Sequence, residues 1–192
     1  YFLMLALCGN CLWAVFLSFL YIFDNALIVH ARSAMLEGTQ LFFFIAATLC
    51  AVLTLRKESS STWLWVGFGL TAGLAVATKL NALILLSAWP FLLYFCRSSW
   101  SQRLRALSSS LFAFVMINLI VWYMHFALAS KINPELPDQG YFQASAAYKE
   151  ILNQGTNADL RNFPVMFADS LNFIRHYNKG VPALNLCKTD EN

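Results

Sequence analysis

Charge is scarce in this chain. Asp, Glu, Lys and Arg supply only 12% of its 192 residues, hydrophobic residues supply 59%, and mean hydropathy is +0.57. A soluble domain carries about 25% charged and about 45–50% apolar residues. That balance excludes an ordinary soluble domain and indicates a membrane protein. The surplus of 13 Lys and Arg over 10 Asp and Glu forms no basic stripe interleaved with aromatics, so nucleic acid is not a partner. Soluble-enzyme signatures are missing as well: no Walker lysine loop, no Gly-x-Gly-x-x-Gly after a strand, no nucleophile elbow and no His-Glu-x-x-His. No ligand cluster argues for a metal, and no cofactor is expected. No basic stretch precedes the first apolar run and no small-residue cleavage site follows it, so it is not read as a signal peptide. Long repeats and low-complexity segments are also absent.

The apolar residues come in runs of membrane length. The first covers residues 1–23, roughly 20 apolar residues, enough at 1.5 Å per residue to cross about 30 Å of hydrocarbon. Gly9 and Asn10 suggest a helix-facing side to it. The second begins polar near Leu36 and is apolar through Leu55, ending at the solvated loop 56–61. The third, 62–78, carries Gly69, Gly73 and Ala77 at four-residue spacing, a stripe that lets another helix backbone approach closely. The polar triplet Lys79-Leu80-Asn81 interrupts the pattern before a fourth run, 82–95, with Pro90 near its end. A basic loop, 97–105, leads to a fifth run, 106–128, whose exit bears Trp122, Tyr123 and His125, suited to an interface belt. Cys8 and Cys11 have redox-motif spacing without a soluble βαβ setting, and are read as small packing residues.

We therefore expect an all-α polytopic membrane helix bundle, with about five spans in residues 1–129 and an extramembrane segment, still incomplete, over 130–192. Two short helices are predicted in that segment. One runs over 143–154 and is ended by Gly155; the other runs over 165–178, introduced by Pro164 and stopped near Gly180. Because the chain opens at Tyr1 inside an apolar run and closes on Thr189-Asp190-Glu191-Asn192, it is expected to be a fragment of a longer protein.

Arg56, Lys57, Arg97, Arg103 and Arg105 all fall in the second and fourth loops. The positive-inside rule makes those loops cytoplasmic. Residues 24–37, 79–81 and everything after Leu128 then face outward, which puts the unusual polar groups on one side. The stretch Phe23-Asp-Asn-Ala-Leu-Ile-Val-His-Ala-Arg-Ser-Ala-Met-Leu-Glu37 sets Asp24, His30, Arg32 and Glu37 between two apolar runs. Ionisable groups at a bilayer are costly and mark a functional site by default. The alternative is an ordinary polar hairpin between two membrane helices. An Arg at that depth offers a rigid fork for phosphate, and Lys79 returns a point charge to the same face. An anionic lipid headgroup is the natural ligand.

That stretch resembles the dolichyl-phosphate-mannose protein O-mannosyltransferases and their bacterial relatives, polyprenyl-phosphate-sugar glycosyltransferases of the GT-C fold. So do Gly69-Leu-Thr-Ala-Gly-Leu-Ala-Val-Ala-Thr-Lys79 and His125-Phe126 followed by Tyr141-Phe142-Gln143. Together these motifs cover most of the chain. The resemblance implies a GT-C-like bundle that transfers a sugar, typically mannose, from a polyprenyl-phosphate donor onto a Ser or Thr hydroxyl of a secreted acceptor protein. The setting is the outward face of a bacterial inner membrane or of the endoplasmic reticulum membrane.

Arg32 matches the family Arg near the carrier phosphate, and Lys79 matches the Lys after the Gly-rich helix. Glu37 stands where many members have Asp. The family's acidic Asp-Glu pair, which includes the presumed general base, would lie upstream of Tyr1. The loop 136–143 follows the family's Gly-Asp to Phe-Gln pattern only in part. Within the chain, Glu37 and His125 are the catalytic candidates, and Asp24, Arg32, Lys79 and Gln143 are the substrate-binding candidates. Each has a plainer counterpart: Arg32 snorkelling or paired with Asp24 or Glu37, Lys79 ending a membrane helix, His125 capping an interface, Gln143 beginning a helix. A transporter or lipid-binding subunit for an anionic substrate is the competing class, although no inverted repeat of broken helices supports it. A purely structural membrane subunit would leave the outward polar cluster unexplained.

Overall fold

The computed structural model describes residues 1–23, 36–56, 61–128 and 145–177. Among these the chain is all-α, with no strand. It packs as two compact units, Tyr1–Val121 and Trp122–Asn192.

In the first unit, α3 (Leu36–Arg56) and α4 (Thr62–Thr78) are antiparallel neighbours that pack along their length. After α4 come a 3-10 segment (Leu80–Ser87), α5 (Ala88–Phe95) and α6 (Trp100–Ala127), whose last turns, from Trp122 on, belong to the second unit. The small residues of α4 do what their spacing predicts. A Cβ on Gly69 would stand 2.1 Å from the Ser110 carbonyl oxygen, and one on Gly73 2.3 Å from Ile117 Cγ2, so α6 lies directly against this stripe. Because successive positions of α4 meet successive positions of α6 in the same order, the two helices run parallel. Trp89 of α5 closes the core. Its indole N–H donates to Ser110 Oγ at 3.0 Å, and its ring meets Phe68 and Phe114 edge-on. Trp65, Phe68, Ala72 and Ala75 are fully buried here.

Two helices among the described residues are long and apolar enough to cross a membrane, Glu37–Arg56 and Trp100–Ala127. The start of the second shows why residues 100–105 are helical rather than loop. Gln102 accepts at 3.3 Å from the Ser99 N–H, half of a capping box, and Arg103 donates to the Ser98 carbonyl at 2.6 Å and the Leu93 carbonyl at 2.8 Å. At 28 residues this helix spans about 42 Å, so its basic first turns can extend past a hydrocarbon layer of about 30 Å.

The first apolar run is not one straight helix. It divides into α1 (Phe2–Cys8) and α2 (Cys11–Ile22), which pack against each other, and α1 also packs on α3. Gly9 takes the left-handed conformation, φ 70°, that ends α1, and the Asn10 side chain accepts from the Leu12 and Trp13 N–H groups to begin α2. Gly9 and Asn10 are therefore stop and start signals, not a polar face of one rod. The fourth run differs too. Pro90 has no N–H, and its ring would clash with the carbonyl four residues back in a continuous α-helix. The chain instead runs as 3-10 helix to Ser87 and as α-helix only from Ala88. Since a 3-10 helix rises about 2.0 Å per residue, residues 80–95 still reach about 28 Å.

In the second unit, α7 (Ala146–Gln154) and α8 (Phe163–Tyr177) gather with the end of α6 around Phe126, Ile151, Leu152 and Met166. Both helices fall where the sequence places them, α7 ending at Gly155 with φ 66° and α8 carrying Pro164 in its first turn. Ser145 Oγ caps α7 by accepting from the Tyr148 N–H, while the Ser145 N–H donates to Asp169 Oδ2 of α8 at 3.2 Å. Burial, with the Asp169 carboxylate adding to it, raises the Tyr148 phenol above its ordinary pKa.

Candidate active site

Four polar residues of the first unit, Glu37, Gln40, Lys79 and Asn81, meet where α4 stops. α4 ends without a glycine and without a side-chain cap. Lys79 is extended, at φ −158° and ψ 130°, and the 3-10 segment starts directly after it. A broken helix among apolar residues must find partners for its backbone groups within the protein. The Lys79 N–H donates to Ala75 O at 3.1 Å, and the Lys79 carbonyl accepts from the Ala82 N–H at 3.1 Å and from Gln40 Nε2 at 3.4 Å. Gln40 also donates to Asn81 Oδ1. Gln40 is only 9% exposed and sits one turn beyond Glu37 on α3.

Lys79 Nζ donates to Glu37 Oε1 at 2.6 Å, with the two side chains 45% and 36% exposed. Glu37 stands in the first turn of α3 and Lys79 just past the last turn of α4, the positions the helix dipoles favour for an anion and a cation. An ion pair this open to its surroundings contributes about 0–1 kcal/mol in water, too little for stability to be its main use. An ammonium has three N–H donors, so one bond to Glu37 leaves capacity for an incoming anion.

The opposite end of the unit is basic. Glu37 and Arg56 stand at the two ends of α3, about 30 Å apart for its 20-residue span. Arg56 Nη2 donates to the Leu7 carbonyl at 3.0 Å, so the turn at Gly9 and Asn10 lies near that end. The parallel course of α4 and α6 brings Arg103 and Arg105 toward the same end. The Glu37, Gln40, Lys79 and Asn81 cluster thus lies at one end and Arg56, Arg103 and Arg105 at the other.

Of the residues singled out in the sequence, Glu37 and Lys79 are brought together. Asp24, His30, Arg32 and Gln143 lie outside the described residues. His125 is exposed in the last turn of α6, in the second unit, with its ring edge-on to Trp122 and Phe126. Among the described residues no group of three or more His, Cys, Asp or Glu could hold a metal ion.

A family model described as dolichyl-phosphate-mannose-protein mannosyltransferase matches residues 1–133. The chain belongs to this family. No curated protein and no solved structure matches it. As a member of the mannosyltransferase family it is an integral membrane protein, all-α and of the GT-C class, and the activity the family implies is that of a membrane mannosyltransferase acting on proteins. The match takes in the whole of the Glu37, Gln40, Lys79 and Asn81 cluster and His125.

Three residues that sequence reasoning did not name as site or capping residues matter here. Gln40 and Asn81 join α3 to the helix break; the available signal was an amide at the entry of an otherwise apolar run, one turn from Glu37. Asn157 caps α6, donating to the Phe126 carbonyl at 2.8 Å and the Ala127 carbonyl at 3.1 Å, a contact about thirty residues distant that no local pattern announces.

Proposed function

We propose that this chain serves the transfer of a mannosyl group from a polyprenyl-phosphate carrier to a Ser or Thr hydroxyl of a secreted protein, at the outward membrane face. The observation that carries this reading is the Lys79–Glu37 pair at a helix break, at the end of the first unit opposite Arg56, Arg103 and Arg105. The positive-inside rule assigns the arginine end to the cytoplasm and hence the Lys79 end to the lumen or periplasm. The up-and-down order of α3, α4, residues 80–95 and α6 supports a multi-pass arrangement, with α1 and α2 standing where the first of the five spans was expected. The membrane is a bacterial inner membrane or that of the endoplasmic reticulum.

In this reading Lys79 meets the carrier phosphate and Glu37 orients its ammonium. Arg32 supplies a second cation with a bidentate fork, and Asp24 orients the segment that bears it. His125 is the further catalytic candidate and Gln143 the further substrate-binding candidate. The reaction is an inverting displacement at the anomeric carbon. A carboxylate takes the proton of the acceptor hydroxyl, and the cations stabilise the departing phosphate, whose leaving ability removes the need for a strong general acid.

The test is sugar transfer by the purified full-length protein from a polyprenyl-phosphate-mannose donor. Loss of a charge-assisted bond of about 1.5–3 kcal/mol should raise the donor KM about 10- to 100-fold in Lys79→Ala and in Arg32→Ala. Lys79→Arg should keep part of the affinity through its charge. Wild-type donor KM and turnover in both alanine variants would overturn the reading.

A further inference from the structure

The break at Lys79 is held from α3 by two residues one turn apart. Glu37 takes the side chain, at 2.6 Å, and Gln40 takes the backbone, donating to the Lys79 carbonyl at 3.4 Å and to the Asn81 side chain. Gln40 is nearly fully buried, whereas Lys79 and Asn81 are exposed, so the amide is the inner anchor of the cluster. Locally, the Lys79 carbonyl has the Ala82 N–H, at 3.1 Å. α4 ends on Lys79 and not on a glycine, and with Gln40 gone the Lys79 carbonyl keeps that local bond while both it and Asn81 lose the donor that ties the break to α3. The cheapest local response is to rewind Lys79 from its extended conformation into helix, which turns its side chain away from Glu37.

We propose that Gln40, acting through Asn81 and the Lys79 carbonyl, is a positioning residue that fixes the Lys79 ammonium for the carrier phosphate. This rests on the reading of Lys79 as a phosphate ligand. Gln40 itself touches no substrate; it sets the backbone from which Lys79 reaches.

The experiment is a double-mutant cycle in the full-length protein, with a polyprenyl-phosphate-mannose donor, a Ser/Thr peptide acceptor, and rates normalised to folded enzyme. Gln40→Leu should raise the donor KM about five- to tenfold with kcat within about twofold, and in the Lys79→Ala background it should add less than about twofold, because the residue it positions is already absent. Asn81→Leu should repeat this pattern and replaces Gln40→Leu if that variant yields no folded protein. Effects of Gln40→Leu and Lys79→Ala that multiply, or an unchanged donor KM in both Gln40→Leu and Asn81→Leu, would overturn the positioning role alone. A wild-type donor KM in Lys79→Ala would instead remove the phosphate reading beneath it.

Discussion

Two interruptions of apolar sequence in the same unit are built on opposite principles. At Gly9 and Asn10 the chain carries its own instructions: a glycine able to adopt φ 70° and an asparagine whose side chain caps the next helix two and three residues on. At Lys79 there is no glycine, and beside the local backbone bonds to Ala75 and Ala82 the side-chain partners come from about forty residues away on α3. The first break is encoded locally, with Arg56 of α3 adding a bond to the Leu7 carbonyl just before it. A break that distant polar groups help to hold gathers those groups at one point, and it is there that Lys79, Glu37, Gln40 and Asn81 meet. The contrast separates a structural turn from a site without reference to either one's exposure.

The two breaks should therefore respond differently to mutation. The largest effect is expected from Gly69→Val, since α4 is held in place by its contact with α6 and the Lys79 break is carried at its end. Added side-chain atoms would collide with the Ser110 backbone, which cannot yield, and displace the hydroxyl that receives the Trp89 N–H. A loss of about 3 kcal/mol or more should appear as a lower melting temperature or as failure to recover folded protein. Melting like the wild type would show that α4 is free to shift and that its end is not fixed by packing. Asn10→Ala should do much less. Losing the cap costs about 0.5–2 kcal/mol, visible in a melt, with donor KM unchanged because nothing at that turn reaches the Lys79 end. A raised donor KM in Asn10→Ala would mean that the two breaks are coupled and that their contrast is false.

What the sequence made readable follows from the range of each interaction. The runs that became α3 and α6, the small-residue stripe of α4 and both helices of the second unit rest on local periodicity, Gly155 and Pro164, and all were legible. The break in the first run was legible in principle, but the apolar length of residues 1–23 outweighed a Gly-Asn pair that is itself a complete stop and start signal. The 3-10 course of residues 80–87 was not legible, because Pro90 forbids a continuous α-helix without saying what replaces it. In the candidate site, Glu37 and Lys79 could be named from their charge in an apolar setting. Gln40 and Asn81 could not, since an amide's importance depends on which backbone group lies opposite it, and that is fixed only when α3 and α4 pack.

The claim at the centre of this account is that the Lys79–Glu37 pair exists for a phosphate and not for the fold. Exchanging the charges tests it directly, in a full-length protein carrying both Glu37→Lys and Lys79→Glu. The exchange preserves the ion pair but moves the cation from the helix break to α3. The account predicts that this double variant inserts and folds, with stability lowered by no more than about 1–2 kcal/mol because the exchanged charges oppose the helix dipoles, while its donor KM stays at least about tenfold raised, as in Lys79→Ala. Wild-type donor KM and turnover in the exchanged protein would show that only the pairing matters, and would contradict the assignment of Lys79 to the carrier phosphate.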